Sequence, residues 1–219
     1  MVLSGKRVLT VVSGASRGIG KEIAVQVSKR VAPESVFLLT ARNEATLLQI
    51  KQDILSSSEK AQVWIVVCDM GSFNDDAINT FKEVLGEIKE MGPFDSAFVF
   101  HNCGTAGDVS KRSTELSNAE QWQNYLNVNL IAMVQFNNLI LESITKEVAP
   151  HRFVVNITSL VAIQGFPSLT QVIVISTKRT VGVYSGEPFT TLTSTPRNRA
   201  ARTGINVVCC HYANSHYRR

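Results

Sequence analysis

Eight residues near the N-terminus, Ser13-Gly14-Ala15-Ser16-Arg17-Gly18-Ile19-Gly20, form the first pattern with chemical content. They follow a short β-branched apolar run, Val8–Val12. They lead into apolar residues at Ile19, Ile23 and Val27, with Ala24 beside them, which is the spacing of one helix face. A glycine-rich turn between a strand and a helix is where backbone N–H groups and the helix dipole meet a pyrophosphate. In such a loop Gly14 turns where a side chain would clash. Gly18 lets the backbone approach the phosphates, and Gly20 lets the helix pack tightly on the strand. A merely flexible glycine turn is the alternative, and the flanking strand and helix argue against it. A second place carries charge. Arg42 follows Thr40-Ala41, where an NAD-specific site has Asp or Glu to bond the ribose hydroxyls. A guanidinium instead suits the 2′-phosphate of NADP, by charge and by its forked donors. Arg17 can approach the same phosphate, so NADP(H) is the expected cofactor.

These residues need a scaffold, and the chain supplies an alternating one. Val36–Leu39 reads as a strand, and Leu47, Ile50 and Ile54 mark a helix. Val63–Cys68 is nearly continuous and apolar, the pattern of a strand buried on both faces. Ile78, Phe81, Leu85 and Ile88 give a third helix, and Ala97–Phe100 a fourth strand. Residues 119–146 read as one long helical stretch with Trp122, Tyr125, Leu130 and Val134, followed by a fifth strand at Phe153–Ile157. Strand and helix in this rhythm predict an α/β fold, a doubly wound parallel sheet of the Rossmann-like kind. Gly204–Val208 reads as a sixth strand. A seventh is not expected, so the sheet is predicted to be truncated or altered at its C-terminal side.

Composition sets the bounds. The 219 residues, 44% hydrophobic and 18% charged, exclude disorder and suit one domain with a real core. Residues 1–219 are read as a single dinucleotide-binding domain. No apolar run approaches the ~20 residues that span a bilayer, and none looks like a secretory leader. Cys68, Cys103, Cys209 and Cys210 show no CxxC spacing and read as reduced thiols of a cytoplasmic protein, with no metal site. The net charge of +4 is uneven: residues 171–219 hold seven Lys/Arg against one acid, and residues 1–170 hold 15 against 17. That tail lacks a basic stripe interleaved with aromatics. It reads as an atypical basic terminus within the domain rather than a nucleic-acid-binding arm. Neither nucleic acid nor membrane is an expected partner.

The spacing Gly-x-x-x-Gly-x-Gly resembles the loop of the short-chain dehydrogenase/reductase family, and further marks follow in order. His101-Asn102-Cys103-Gly104 is similar to the family's Asn-Asn-Ala-Gly, with two substitutions. Asp69-Met70 falls where the family places an acid near the adenine. Asn129, in Asn127-Val128-Asn129-Leu130, matches the catalytic asparagine, and Ser159, in Asn156-Ile157-Thr158-Ser159, the catalytic serine. Thr40-Ala41-Arg42-Asn43, Gly104–Lys111 and Val154–Leu160 bring the resemblance nearest to a subgroup that reduces side-chain ketones of pterins. It covers roughly residues 5–170. It implies an NADPH-dependent carbonyl reductase of tetrahydrobiopterin synthesis, a homodimer whose small-molecule substrate is a pterin or another carbonyl. The cofactor would then be held by Gly14, Ser16, Arg17, Gly18, Ile19, Gly20, Arg42, Asn43, Asp69, Met70, Asn102 and Gly104.

The family also carries Tyr-x-x-x-Lys on the helix after the serine. The tyrosine protonates the developing alkoxide, the lysine lowers its pKa and holds the ribose, and the serine polarises the carbonyl. The asparagine helps hold a relay water. Here the spacing from Ser159 places Val172 and Ser176 at those positions, and no Tyr-x-x-x-Lys occurs in the chain. Val172-Ile173-Val174-Ile175 starts a helix poorly, and the dimer is built on that same helix. Cys209-Cys210-His211-Tyr212 stands where the family has a Pro-Gly turn. Residues after about Gln171 are therefore read as the product of an altered frame, retained intron or alternative splice. Two alternatives to an active reductase stay open: a catalytically dead NADP-binding protein, and a defective variant.

Overall fold

The computed structural model describes residues 3–108, 110–111 and 115–159, and the backbone of two strands at 190–191 and 205–212. The elements are β1 (Val8–Ser13), α1 (Gly18–Ser28), β2 (Val36–Ala41), α2 (Glu44–Ser57), β3 (Gln62–Val67) and a 3-10 turn (Met70–Ser72). There follow α3 (Asp75–Glu90), β4 (Ser96–His101), α4 (Ala119–Leu126), a π turn (Asn127–Ile131) and α5 (Ala132–Ser143). β5 (His151–Ser159), β6 (Thr190–Thr191) and β7 (Ile205–Tyr212) complete the order.

Seven strands form one parallel sheet in the order β3-β2-β1-β4-β5-β7-β6. β1 lies between β2 and β4, so the winding reverses there and a crevice opens above its C-terminal end, the usual ligand site of such sheets. Side chains alternate across β1. Leu9 and Val11 join Phe81, Leu85, Phe136 and Ile140 in one core layer. Val12 joins Ala24, Leu47, Ile50 and Ile54 in the other. α1 and α2 lie on one face of the sheet and α3 and α5 on the other. α2 buries Leu47, Ile50 and Ile54, and α3 buries Phe81, Leu85 and Ile88, as expected. α1 buries Ala24 and Val27 but leaves Ile19 and Ile23 partly exposed. α5 buries Ala132, Met133, Phe136, Leu139 and Ile140 rather than Leu130 and Val134. β1 and β2 are buried throughout, which is why they read as unbroken apolar runs. At the opposite edge of the sheet, Arg7 donates to the carbonyls of Met91 (2.7 Å), Pro93 (2.8 Å) and Glu34 (3.2 Å). Its guanidinium lies 4.8 Å from the centre of the Phe94 ring, so that end is closed by a fixed fork of donors.

The structure corrects the sequence reading in four further places. β3 is not buried on both faces: it is the outermost strand, and Val67 is 51% exposed. A strand's neighbours are a property of the whole sheet, which an apolar run does not state. The predicted helix over 119–146 ends at Ser143 and is interrupted by the π turn. The sheet has a seventh strand, the two-residue β6, too short to leave a periodic signal. β7 extends through Cys209-Cys210-His211-Tyr212, paired with β5 as far as Ser159↔Tyr212.

Candidate cofactor and active site

The C-terminal ends of β1, β2, β3, β4 and β5 bring Ser13, Ala41, Val67, His101 and Ser159 to one edge of the sheet. The loop after β1 is shaped by its glycines. Gly14 has φ +67°, and a Cβ there would stand 3.0 Å from Cys103 Cα and 3.1 Å from Asn102 Nδ2. A Cβ on buried Gly20 would collide with the Gly14 carbonyl oxygen and lie 2.5 Å from Asn102 Nδ2. Gly18 is different: its φ is +55°, and nothing stands within 4 Å of where a Cβ would be. Packing explains Gly14 and Gly20, whereas Gly18 borders open space.

That space lies at the start of α1. Asn43, Asn74 and Asn118 each cap a helix, accepting from Thr46 N–H (2.9 Å), Ala77 N–H (3.1 Å) and Glu120 N–H (2.8 Å). α1 has no side-chain cap and no acidic residue in its first turn. Its first N–H groups therefore keep the partial positive charge that attracts an anion. Ser16 and Ile19 are partly exposed beside them, and Arg17 is exposed. Ala15 N–H donates to Thr40 O at 3.1 Å, which ties the loop to the end of β2 and hence to exposed Arg42. Among the described residues neither Arg17 nor Arg42 has an ion pair or side-chain hydrogen bond, and both are exposed at loops tied to each other. An uncapped helix start and an open glycine fit the phosphates of a dinucleotide.

The other expected residues divide by what their side chains already hold. Asn43 is committed to its capping role. Asp69 is exposed and accepts from Gly71 N–H at 2.9 Å. Met70 is 5% exposed and packs in the core. Cys68 N–H donates to Ala41 O at 3.0 Å, fastening the end of β3 to β2. Burial, then the nearby Asp69 and Cys103, push the Cys68 thiol up to about 11. It is therefore protonated and unreactive at neutral pH.

The loop after β4 is held by side chains. The Ser13 hydroxyl accepts from the N–H groups of Asn102 and Cys103, each at 3.1 Å, and Asn102 Nδ2 donates to Gly14 O at 3.0 Å. Gly104 is exposed. Asn129 is 2% exposed in the π turn, and its Oδ1 accepts from Thr105 N–H at 3.0 Å. Its Nδ2 donates to Thr105 O and to Tyr125 O, both at 3.0 Å. All three of these partners are backbone groups, two on Thr105 and one on Tyr125. Farther along, Asp108 accepts from Ser110 N–H (3.0 Å) and Oγ–H (2.6 Å), which with Lys111 lowers its carboxyl pKa. The nearby phenol of Tyr125 is buried, and burial pushes it up to about 12, so it is no ready proton donor.

Ser159 ends β5, three residues beyond the His101↔Asn156 pair that closes the β4 ladder. Positions 172 and 176 lie outside the described residues. The reading of the sequence assigned no role to Ser13 or Thr105. Ser13 stood in the quoted motif, but only the fold shows that its hydroxyl joins two loops, and nothing in sequence spacing pairs Thr105 with Asn129.

A parallel sheet reversing at β1, with a glycine loop and an uncapped helix at the reversal, defines a dinucleotide-binding α/β protein. The short chain dehydrogenase family matches residues 8–214, and the chain belongs to that family. It is 30% identical over 156 residues to the sepiapterin reductase of Rattus norvegicus, covering 71% of this chain and 59% of that one. It is likewise 30% identical over 160 residues to the sepiapterin reductase of Bos taurus, covering 73% and 59%. The chain therefore spans about three-fifths of the length of these relatives. Among solved structures, a short chain dehydrogenase from Shigella flexneri complexed with NADP superposes with a TM-score of 0.64 at 22% identity, over 83% of this chain and 69% of that one. Among the described residues no helix is long and apolar enough to cross a membrane, and no cluster of potential metal ligands occurs.

Proposed function

We propose that this protein binds NADPH and is, by descent, a carbonyl reductase of pterin side-chain ketones. The observation that carries the cofactor reading is the pair Arg17 and Arg42, exposed and uncommitted at two loops joined by the Ala15–Thr40 bond. Two guanidiniums on linked loops would suit the 2′-phosphate monoester and would be wasted on two ribose hydroxyls. Gly14, Gly18 and Gly20 with the start of α1 would take the pyrophosphate, and Asn102, Gly104 and Asp69 would flank it. Bound NADPH supplies a hydride. The sepiapterin reductase relatives support a pterin substrate, and Ser159 would polarise its carbonyl.

A second reading follows from a specific observation. The chain has no Tyr-x-x-x-Lys, and buried Tyr125 is no substitute. Without a phenol near neutral acidity the alkoxide lacks its proton, and general acid catalysis contributes ~10²–10⁴-fold. The chain then acts as an NADP-binding protein with slow turnover. Fluorescence titration with NADPH, followed by single-turnover NADPH oxidation with sepiapterin, separates the two. The expected result is binding, with a rate about 10²–10⁴-fold below a relative carrying the pair. A rate equal to such a relative refutes the slow reading, and absence of NADPH binding refutes both.

A further inference from the structure

The loop after β4 is fastened to one helical run at two points. Asn129 grips Thr105 in the π turn. Eight residues on, about two helical turns, Asn137 on α5 places Oδ1 at 3.0 Å from Nε2 of His101. His101 is 2% exposed, and its ring stands edge-on to Phe136 with centroids 6.2 Å apart. An amide oxygen only accepts, so the imidazole presents its proton at Nε2. Between the two fastenings lie Asn102 and Cys103, whose bonds reach Ser13 and Gly14. Residues 104–107 are exposed. Position 101 is also one of the two where the chain departs from Asn-Asn-Ala-Gly.

We infer that His101 is a positioning residue for the cofactor site: through Asn137 it locks the end of β4 to α5, so that Asn102 meets the glycine loop in one register. This rests on the NADPH reading above. A pre-ordered loop lowers the entropy lost when a ligand binds, so releasing the lock weakens NADPH without removing any group that touches it. The bond to Asn137 is made by Nε2. A Gln amide nitrogen reaches about as far from the backbone as Nε2 of His, whereas an Asn amide nitrogen stops at the distance of Nδ1.

The test is the NADPH dissociation constant of the full chain and its variants, measured well below the thermal midpoint of each. His101→Leu and Asn137→Leu should each weaken NADPH about three- to tenfold, the size of one net hydrogen bond. The double variant should be no weaker than His101→Leu, because the bond to Asn137 is already gone there. His101→Gln should restore affinity, and His101→Asn should not. A purely structural histidine would lower the midpoint of the Leu variants and leave the dissociation constants unchanged, and that result overturns the inference. So do additive losses in the double variant. If the Leu variants do not fold, Gln and Asn decide, and equal affinities overturn the inference. An unaltered chain that binds no NADPH refutes the cofactor reading itself. Normal binding that is indifferent to position 101 refutes only the role of His101.

Discussion

The loops that follow β1 and β4 lie side by side where the sheet reverses, and they are held by different means. The first is shaped by what it lacks: Gly14 and Gly20 leave no room for a Cβ, and the backbone closes on itself. The second is shaped by what is added from elsewhere. Ser13 accepts its N–H groups from below, Asn102 reaches Gly14, and Asn129 grips Thr105 from the π turn. Steric exclusion is written into residue type at the site itself. A hydrogen-bonded clamp is written partly in another element 24 residues away. The first kind of loop tolerates no substitution at its contact points. The second can be loosened one bond at a time.

The largest expected effect therefore comes from Gly20→Ala. Its methyl group would meet the Gly14 oxygen and the Asn102 amide, with no flexible side chain to yield on the backbone side. Overpacking costs about 1–3 kcal/mol and occasionally more, and the upper end is expected. Urea unfolding should show the loss, and NADPH binding should fall with it. An unchanged midpoint would mean that the loop is not closed as described.

Next is Arg42→Ala, which tests charge without disturbing either loop. One charge-assisted hydrogen bond contributes ~1.5–3 kcal/mol, so NADPH should bind on the order of tenfold to a hundredfold more weakly. NADH affinity should stay nearly constant. Equal losses for the two cofactors would show that Arg42 does not read the 2′-phosphate.

Ser13→Ala joins the two regions in one experiment, since it strips the acceptor from two N–H groups of the second loop while sparing the shape of the first. Asn102 N–H keeps Phe100 O as a second acceptor at 3.0 Å, and each net hydrogen bond lost costs about 0.5–1.5 kcal/mol. Thermal denaturation should register about 2 kcal/mol, less than for Gly20→Ala because the loop can relax. A larger loss than Gly20→Ala would reverse the ranking of the two regions. The smallest effect is expected of Asn43→Ala, which removes the cap of α2 and costs ~1 kcal/mol. A selective loss of NADPH affinity there would reveal a second task for Asn43.

What the sequence disclosed follows the same division. The glycine loop, the doubly wound order and the apolar faces of α2 and α3 were legible, because sterics and periodicity are local. The place of Arg42 just after β2 was legible by position alone. Asn129 was found by resemblance, but its action on Thr105 was not, because a partner across the fold leaves no spacing to read. Ser13 was in view without a role for the same reason. The exposure of Val67 on β3 was misread because only the assembled sheet decides which strand is outermost. Two-residue β6 was invisible, and the apolar Val207-Val208 marked β7 without showing where it stops.

The π turn has a consequence for how this protein can change. Asn127–Ile131 holds one residue more than a regular helix would use over the same arc. Removing a single codon there would yield an unbroken α-helix, leave the flanking faces where they are, and shift only the residues within the turn. The helix would persist, but Asn129 would no longer face Thr105. A one-residue deletion is thus a small genetic event that spares the scaffold and frees the second loop. Lineages of this protein that lose the turn should be those that no longer need that loop held.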